Sequence, residues 1–311
     1  MRIGLFPGSV PGQLLDLEST IAQGISAESD GFDSFWVPHL SHQGFDGLTI
    51  LGLIGSQTHK IELGTAVVPT YPRHPTALAQ QAMTIQVVTS GRLSLGIGPS
   101  HQRNVEDAWG LSYSKPAQHV RDYLSVIKPL VNNGSVSFSG DNYQVTTQIE
   151  MHGITPFPIM ISALAPAMLN LAGELADGTI TWMAGIGAIE KHVVPRINKS
   201  AANSGRPIPR TCVGLPVCVT DDKGTAFEKA AKSFERYGTL RNYRRILDIE
   251  GADGPADVAI IGNEIEVERQ LRALSDSGAT DFLASIFSPD DSNTDSYDRT
   301  KALLGSLVGK I

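Results

Sequence analysis

Strand-like and helix-like segments alternate eight times along this chain, and that alternation constrains its fold more than any other feature. RIGLF (2–6) reads as a strand and precedes Leu14, Leu17, Ile21 and Ile25, spaced by three and four as on one helix face. The pairing recurs in FDSFWV (32–37) with a helical run over 46–58, and in KIELGTAVV (60–68) with Leu78, Ala82, Ile85 and Val88. RLSLGIG (92–98) is followed by Val120, Leu124, Ile127 and Val131. PIMIS (158–162), GTITWM (178–183), RTCVGLPVCV (210–219) and TDFLASI (280–286) each precede a further helical stretch, the last near 294–308. Such repetition implies an α/β fold with a parallel sheet. Eight units in 311 residues favour a closed (β/α)8 TIM barrel over an open doubly wound sheet. No linker divides the chain, so one domain spanning 1–311 is expected. Two insertions interrupt it: a hairpin near 134–148, turning at Gly140, Asp141 and Asn142, and a polar stretch near 236–264.

A barrel of this kind places its active site on the loops at the C-terminal ends of the strands. Four of those ends are rich in stiff or polar residues: PHLSHQGFD after the second strand, VPTYPRHP after the third, GPSHQRN after the fourth and SALAP after the fifth. A plain turn needs only Gly, Asn or Asp, so this chemistry calls for another account.

Composition narrows the function classes. A net charge of −7 excludes nucleic acid as the main partner, because phosphate binding needs a basic footprint. Residues 151–173 carry no Asp, Glu, Lys or Arg, but Pro156, Pro158 and Pro166 break them into strand, loop and helix rather than a membrane span. MRIGLFPG enters a strand directly, and no signal peptide is expected. Cys212 and Cys218 lie six residues apart in an extended run, roughly 20 Å. That is beyond disulfide reach, so both are expected to be core thiols in a cytoplasmic protein.

Familiar motifs are missing. GIGPSH (96–101) lacks the third glycine of a dinucleotide fingerprint, His101 standing in its place. There is no Walker loop, no HExxH and no G-x-S-x-G elbow. His39 and His42 are neighbours without a Cys or acidic cluster to complete a metal site, so no metal is assigned. Plainer readings exist for several residues. Arg73 and His74 can cap the helix opening at Pro75 or pair with a carboxylate, and Ser100 can be an N-cap. Trp182 can fill the barrel, and RNYRR (241–245) reads as a solvated basic helix face.

Three segments in order, GTAVVPTYPRHP (64–75), GRLSLGIGPSH (91–101) and LAGELADGTITWM (171–183), resemble the luciferase-like flavin and deazaflavin oxidoreductases. Within that superfamily they most resemble the branch using the deazaflavin coenzyme F420, over nearly the whole chain. The resemblance implies a (β/α)8 barrel with insertions. It implies a non-prolyl cis peptide at Ala66–Val67, supporting the back of the tricyclic ring. Gly98, Pro99, Ser100 and His101 would flank the ring and its ribityl chain. Backbone N–H groups of Ser162, Ala163, Leu164 and Ala165 would hold the cofactor phosphate, and Trp182 and Gly185 would line the remainder. This chain departs from the branch in having Pro38-His39-Leu40 where many members carry Asp-His. It has His101 where an acidic residue is common, and Gly185 where sugar-phosphate dehydrogenases of the family carry a lysine. A sugar-phosphate substrate is therefore not expected. The resemblance thus implies a homodimeric enzyme moving hydride between F420 and a small organic acceptor, with His101 or His39 as the acid–base residue. An FMN-dependent monooxygenase and a catalytically silent flavin-binding barrel are the alternatives.

Overall fold

In a computed structural model describing residues 1–10, 16–40, 43–290 and 294–311, eight parallel strands close into a ring. The strands in chain order are β1 (Arg2–Leu5), β2 (Ser34–Val37), β3 (Glu62–Thr65), β4 (Val68–Pro69), β5 (Leu93–Gly98), β6 (Ser135–Ser139), β7 (Gln144–Gln148), β8 (Ile159–Ser162), β9 (Gly178–Trp182), β10 (Arg210–Val219), β11 (Ile260–Gly262) and β12 (Asp281–Ile286). The ring runs β1-β2-β3-β5-β8-β9-β10-β12 and back to β1. All eight expected strands are there. The third is interrupted: β3 ends at Thr65, and β4 resumes at Val68, pairing with β5. The hairpin β6–β7 is a separate antiparallel pair.

Helices α1 (Leu17–Ser29), α2 (Gly47–Gly55), α3 (Pro75–Val88), α4 (Pro116–Asn133), α5 (Pro166–Leu175), α6 (Ile186–Ala188), α7 (Val194–Asn203), α8 (Lys223–Thr239), α9 (Arg241–Glu250), α10 (Glu264–Asp276) and α11 (Asp295–Leu307) lie between the strands. Their starts follow from local chemistry. Asp16 and Asp46 accept N–H bonds as N-caps of α1 and α2, Pro75 opens α3, and Asn263 with Glu266 forms a capping box at α10. Leu14, expected in the first helix, lies outside the described residues. The stretch near 236–264 contains α9, a 3-10 turn (Pro255–Val258) and β11, which pairs with the C-terminal half of β10. Among the described residues no helix is long and apolar enough to cross a membrane. Residues 151–173 form loop, β8 and the start of α5.

The barrel interior is filled by side chains. Phe6, Trp36, Met160, Ile180, Cys212 and Leu283 form one buried cluster, with Ala66, Val67 and Trp182 packed against it. Gly64 lets the Trp36 ring fit, since a Cβ there would collide with it, and Trp36 Nε1 donates to Ser34 Oγ at 2.8 Å. Below this cluster, Arg210 donates to Asp281 at 2.5 and 3.1 Å, to Glu62 at 2.9 Å and to Ser94 Oγ at 3.3 Å. Burial raises the Asp281 pKa, but the Arg210 hydrogen bonds and charge outweigh it and hold the carboxyl below its usual value. Removing one partner of a buried pair like this costs about 3–5 kcal/mol, because the other charge stays behind. These residues sit at the strands' N-terminal ends, the face of such barrels that carries stability rather than catalysis. Cys212 and Cys218 are free and buried in β10.

Candidate active site

At the opposite end, the chain between β3 and β4 is tied to β5 on both sides. Thr65 Oγ1 donates to Gly96 O at 2.8 Å and accepts from Gly96 N at 3.0 Å, and Thr70 N donates to Gly98 O at 2.9 Å. Between these ties the Ala66–Val67 peptide is cis, in the position expected. The bulge meets the next two loops at Gly98. A Cβ there would lie 2.9 Å from Val67 Cγ2 and closer still to Ser162 Oγ. Only a glycine lets these three strand ends pack so closely.

The turn after β5 is held from outside. Ser100 is left-handed, at φ 61°, and its carbonyl accepts from Tyr113 Oη at 3.1 Å while its Oγ accepts from Asn104 Nδ2 at 3.2 Å. It therefore does not act as the helix N-cap that its residue type allows. The Thr70 hydroxyl bridges to His119 Nε2 at 3.0 Å, and His119 stacks on Tyr71 with ring centroids 3.9 Å apart. Burial pushes the His119 pKa down to about 4, against a smaller opposing pull from Asp122, so this imidazole is neutral at neutral pH.

The loop after β8 runs through Ser162, Ala163, Leu164 and Ala165 into α5. Its N-cap is Ala165, which supplies no side-chain acceptor to the first turn. The loop is fixed from behind by His192 Nε2, which donates to Leu164 O at 2.9 Å. An uncapped helix start after small residues is suited to an anion.

His101 and His39 are not equivalent. The His101 ring lies 5.9 Å from that of Tyr243 in α9, and burial, followed by the charge of Arg236, lowers its pKa. His39 is built into the start of α2: its Nδ1 accepts from Gly47 N at 3.0 Å. Arg73 hydrogen-bonds Asp46, which lies 3.7 Å from the His39 ring. Burial first, then Arg73, lowers the His39 pKa against the pull of Asp46. His42 lies outside the described residues. The plainer readings of Arg73 and His74 fit their contacts, since His74 Nδ1 accepts from Thr76 N at the start of α3.

Trp182 stands among aromatics, 5.8 Å from Phe6 and 6.0 Å from both Phe234 and Tyr237. Gly185 faces a carboxylate that the sequence did not reveal. Glu250, at the end of α9, accepts from Gly187 N at 3.1 Å and Ala188 N at 2.5 Å. A Cβ on Gly185 would fall 2.7 Å from both of its oxygens. Tyr237 and Tyr243 were likewise missed. In RNYRR, Arg241 and Arg245 are exposed and Arg244 ties down the chain after α9, through Asp248, Ala252 O and Asp253 O, while Tyr243 turns inward. No group of three or more His, Cys, Asp or Glu placed to hold a metal occurs among the described residues.

A family model described as luciferase-like monooxygenase matches residues 2–285. The chain belongs to the luciferase-like monooxygenase family. It is an oxidoreductase of that family. The 5,10-methylenetetrahydromethanopterin reductase of Methanolobus tindarius is 29% identical over 271 residues, covering 85% of this chain and 81% of the relative. The F420-dependent glucose-6-phosphate dehydrogenase of Nakamurella multipartita is 27% identical over 272 residues, covering 83% and 77%. Among solved structures, an F420-dependent secondary alcohol dehydrogenase in complex with an F420–acetone adduct superimposes with a TM-score of 0.79 at 20% identity, over 97% of each chain. That likeness shows the same fold over 97% of this chain.

Proposed function

We propose that this luciferase-like chain is a coenzyme F420-dependent oxidoreductase that moves hydride between reduced deazaflavin and a small organic acceptor bearing an activated C=C, C=N or nitroaromatic group. The observation that carries the reading is the close, glycine-dependent packing of Val67, Gly98 and Ser162 beside the uncapped start of α5. A flat ring fits against the first, and an anionic tail fits the second. The F420-dependent relatives support the choice of deazaflavin. A bound deazaflavin supplies hydride from a ring carbon where a flavin has nitrogen, and so reacts poorly with oxygen.

The chain's own residues then have separate tasks. Ala66 and Val67 back the ring, and Gly98, Pro99 and Ser100 line one edge of it. Ala163, Leu164 and Ala165 present backbone N–H groups to the phosphate. His101 faces the acceptor, where its imidazole donates a hydrogen bond or a proton. His39 is the weaker candidate because its Nδ1 already serves the α2 backbone. A homodimer belongs to the same reading, on the family resemblance.

The alternative is an FMN-dependent monooxygenase, favoured by the family's description and by an anion site that suits either phosphate. Parallel spectral titrations with F420 and FMN separate the two. Saturable binding with tighter affinity for F420 is expected. Tighter binding of FMN would select the monooxygenase.

A further inference from the structure

Five aromatic rings run along one side of the barrel mouth. From His101 the series passes to Tyr243 at 5.9 Å, to Tyr237 at 4.9 Å, to Trp182 at 6.0 Å and to Phe6 at 5.8 Å. Tyr237 and Tyr243 come from α8 and α9, the segment that follows β10, and are not among the cofactor contacts proposed above, while Trp182, set beside the cofactor by the family resemblance, is reassigned here to the acceptor. Trp182 Nε1 is buried without a hydrogen-bond partner among the described residues; the Tyr237 hydroxyl lies near enough to feel it without reaching bonding geometry. Buried polar groups left in this way are uncommon in native structures and mark positions that something else completes.

On the same side, the backbone donors that would attract an anion are already in use. Gly187 N and Ala188 N both bind the Glu250 carboxylate, whose oxygens cover Gly185. A second anion there would meet a like charge that the fold holds in place, and such juxtaposition is disfavoured. Arg236, the cation that acts on His101, is exposed on α8, where solvent screens it.

We infer that the acceptor is a flat, uncharged molecule seated on the Tyr243–Tyr237–Trp182 wall, with a neutral oxygen or nitrogen accepting from Trp182 Nε1, and that Glu250 rejects acceptors carrying carboxylate or phosphate. This rests on the hydride-transfer reading and defines the substrate side of that same site. Flat rings stack against such a wall, and the π-faces prefer offset or edge contacts that the existing T-shaped pairs can extend.

The test is calorimetric binding of a matched pair, 4-nitrobenzyl alcohol and 4-nitrobenzoate, to protein loaded with oxidised F420. The neutral probe should bind about tenfold or more tightly than the anionic one. Glu250→Gln should narrow that gap to about threefold or less by relieving the repulsion. Tyr243→Ala should weaken the neutral probe about tenfold, the usual scale for losing a buried aromatic anchor, while Tyr243→Phe retains it. Equal binding of the two probes by the unaltered protein, no binding of either, or indifference to both Glu250→Gln and Tyr243→Ala would overturn the inference. F420 titration of the same samples keeps the two claims apart. Intact F420 binding with failed probe binding sinks only the acceptor inference, whereas absent F420 binding sinks the functional reading itself.

Discussion

Replacing Ala165 with glutamate should lower the affinity for cofactor by about 100-fold or more while the fold survives, since each 1.4 kcal/mol is tenfold and like charges brought together cost several kcal/mol. Ala165 is the N-cap of α5, in extended conformation at φ −78° and ψ 149°, and is partly exposed. Partial exposure leaves a glutamate there a route to solvent. Its carboxylate also suits the helix dipole, so the helix itself should be no less stable. The same carboxylate, however, lies over the N–H groups that would receive the cofactor phosphate. Ala165→Gln separates bulk from charge and should lose less affinity. Spectral titration of both variants, with thermal melting as the fold control, gives the answer. Affinity unchanged in Ala165→Glu would place the phosphate elsewhere on the barrel.

His101→Ala should reduce turnover by 10²–10⁴-fold, the usual contribution of a positioned general acid or base, with little change in cofactor affinity. The pH profile gives an independent reading. Burial holds the His101 pKa below 6.5, so the protonated imidazole is present only at lower pH and fades as pH rises through that depressed value. A step that needs the cation should therefore quicken on acidification, with its inflection below 6.5, and His101→Ala should abolish that inflection. If the neutral N–H is what orients the acceptor, the rate should instead level off above the inflection. His39→Ala should mainly loosen the start of α2, because the His39 ring serves Gly47 N there. A large loss of turnover in His39→Ala, with His101→Ala near normal, would exchange the two roles.

The barrel was legible because each strand is a short apolar run bounded by turn residues and followed by a periodic helix. The cis Ala66–Val67 bond was legible only through family resemblance, since no local propensity marks it. β11 escaped notice because its three residues are too short a run to stand out beside the turn that precedes them and the helix that follows. Tyr243 was hidden for a similar reason: three arginines in RNYRR set the polarity of the segment, while the residue that faces the site is a single inward tyrosine. Glu250 could not be inferred at all. It meets Gly187 and Ala188 across 63 and 62 residues of chain, and a bond between a carboxylate and backbone N–H groups leaves no pattern in side-chain types. His39 illustrates the converse. A histidine after a barrel strand looks catalytic in sequence, yet its nearest partners belong to a helix start.

Hydride transfer can be followed directly. Reduced F420 carrying deuterium at its hydride-donating carbon is mixed with the protein and a neutral nitroaromatic or enone acceptor under strict exclusion of oxygen, and the product is examined by mass spectrometry and NMR. The proposed chemistry predicts F420 oxidation matched one-to-one by acceptor reduction. With the enone, one deuterium should appear at the reduced carbon of the product; with the nitroaromatic, the stoichiometry alone is read. Product that forms only with FMN and oxygen, carrying an oxygen atom from O2, would contradict it.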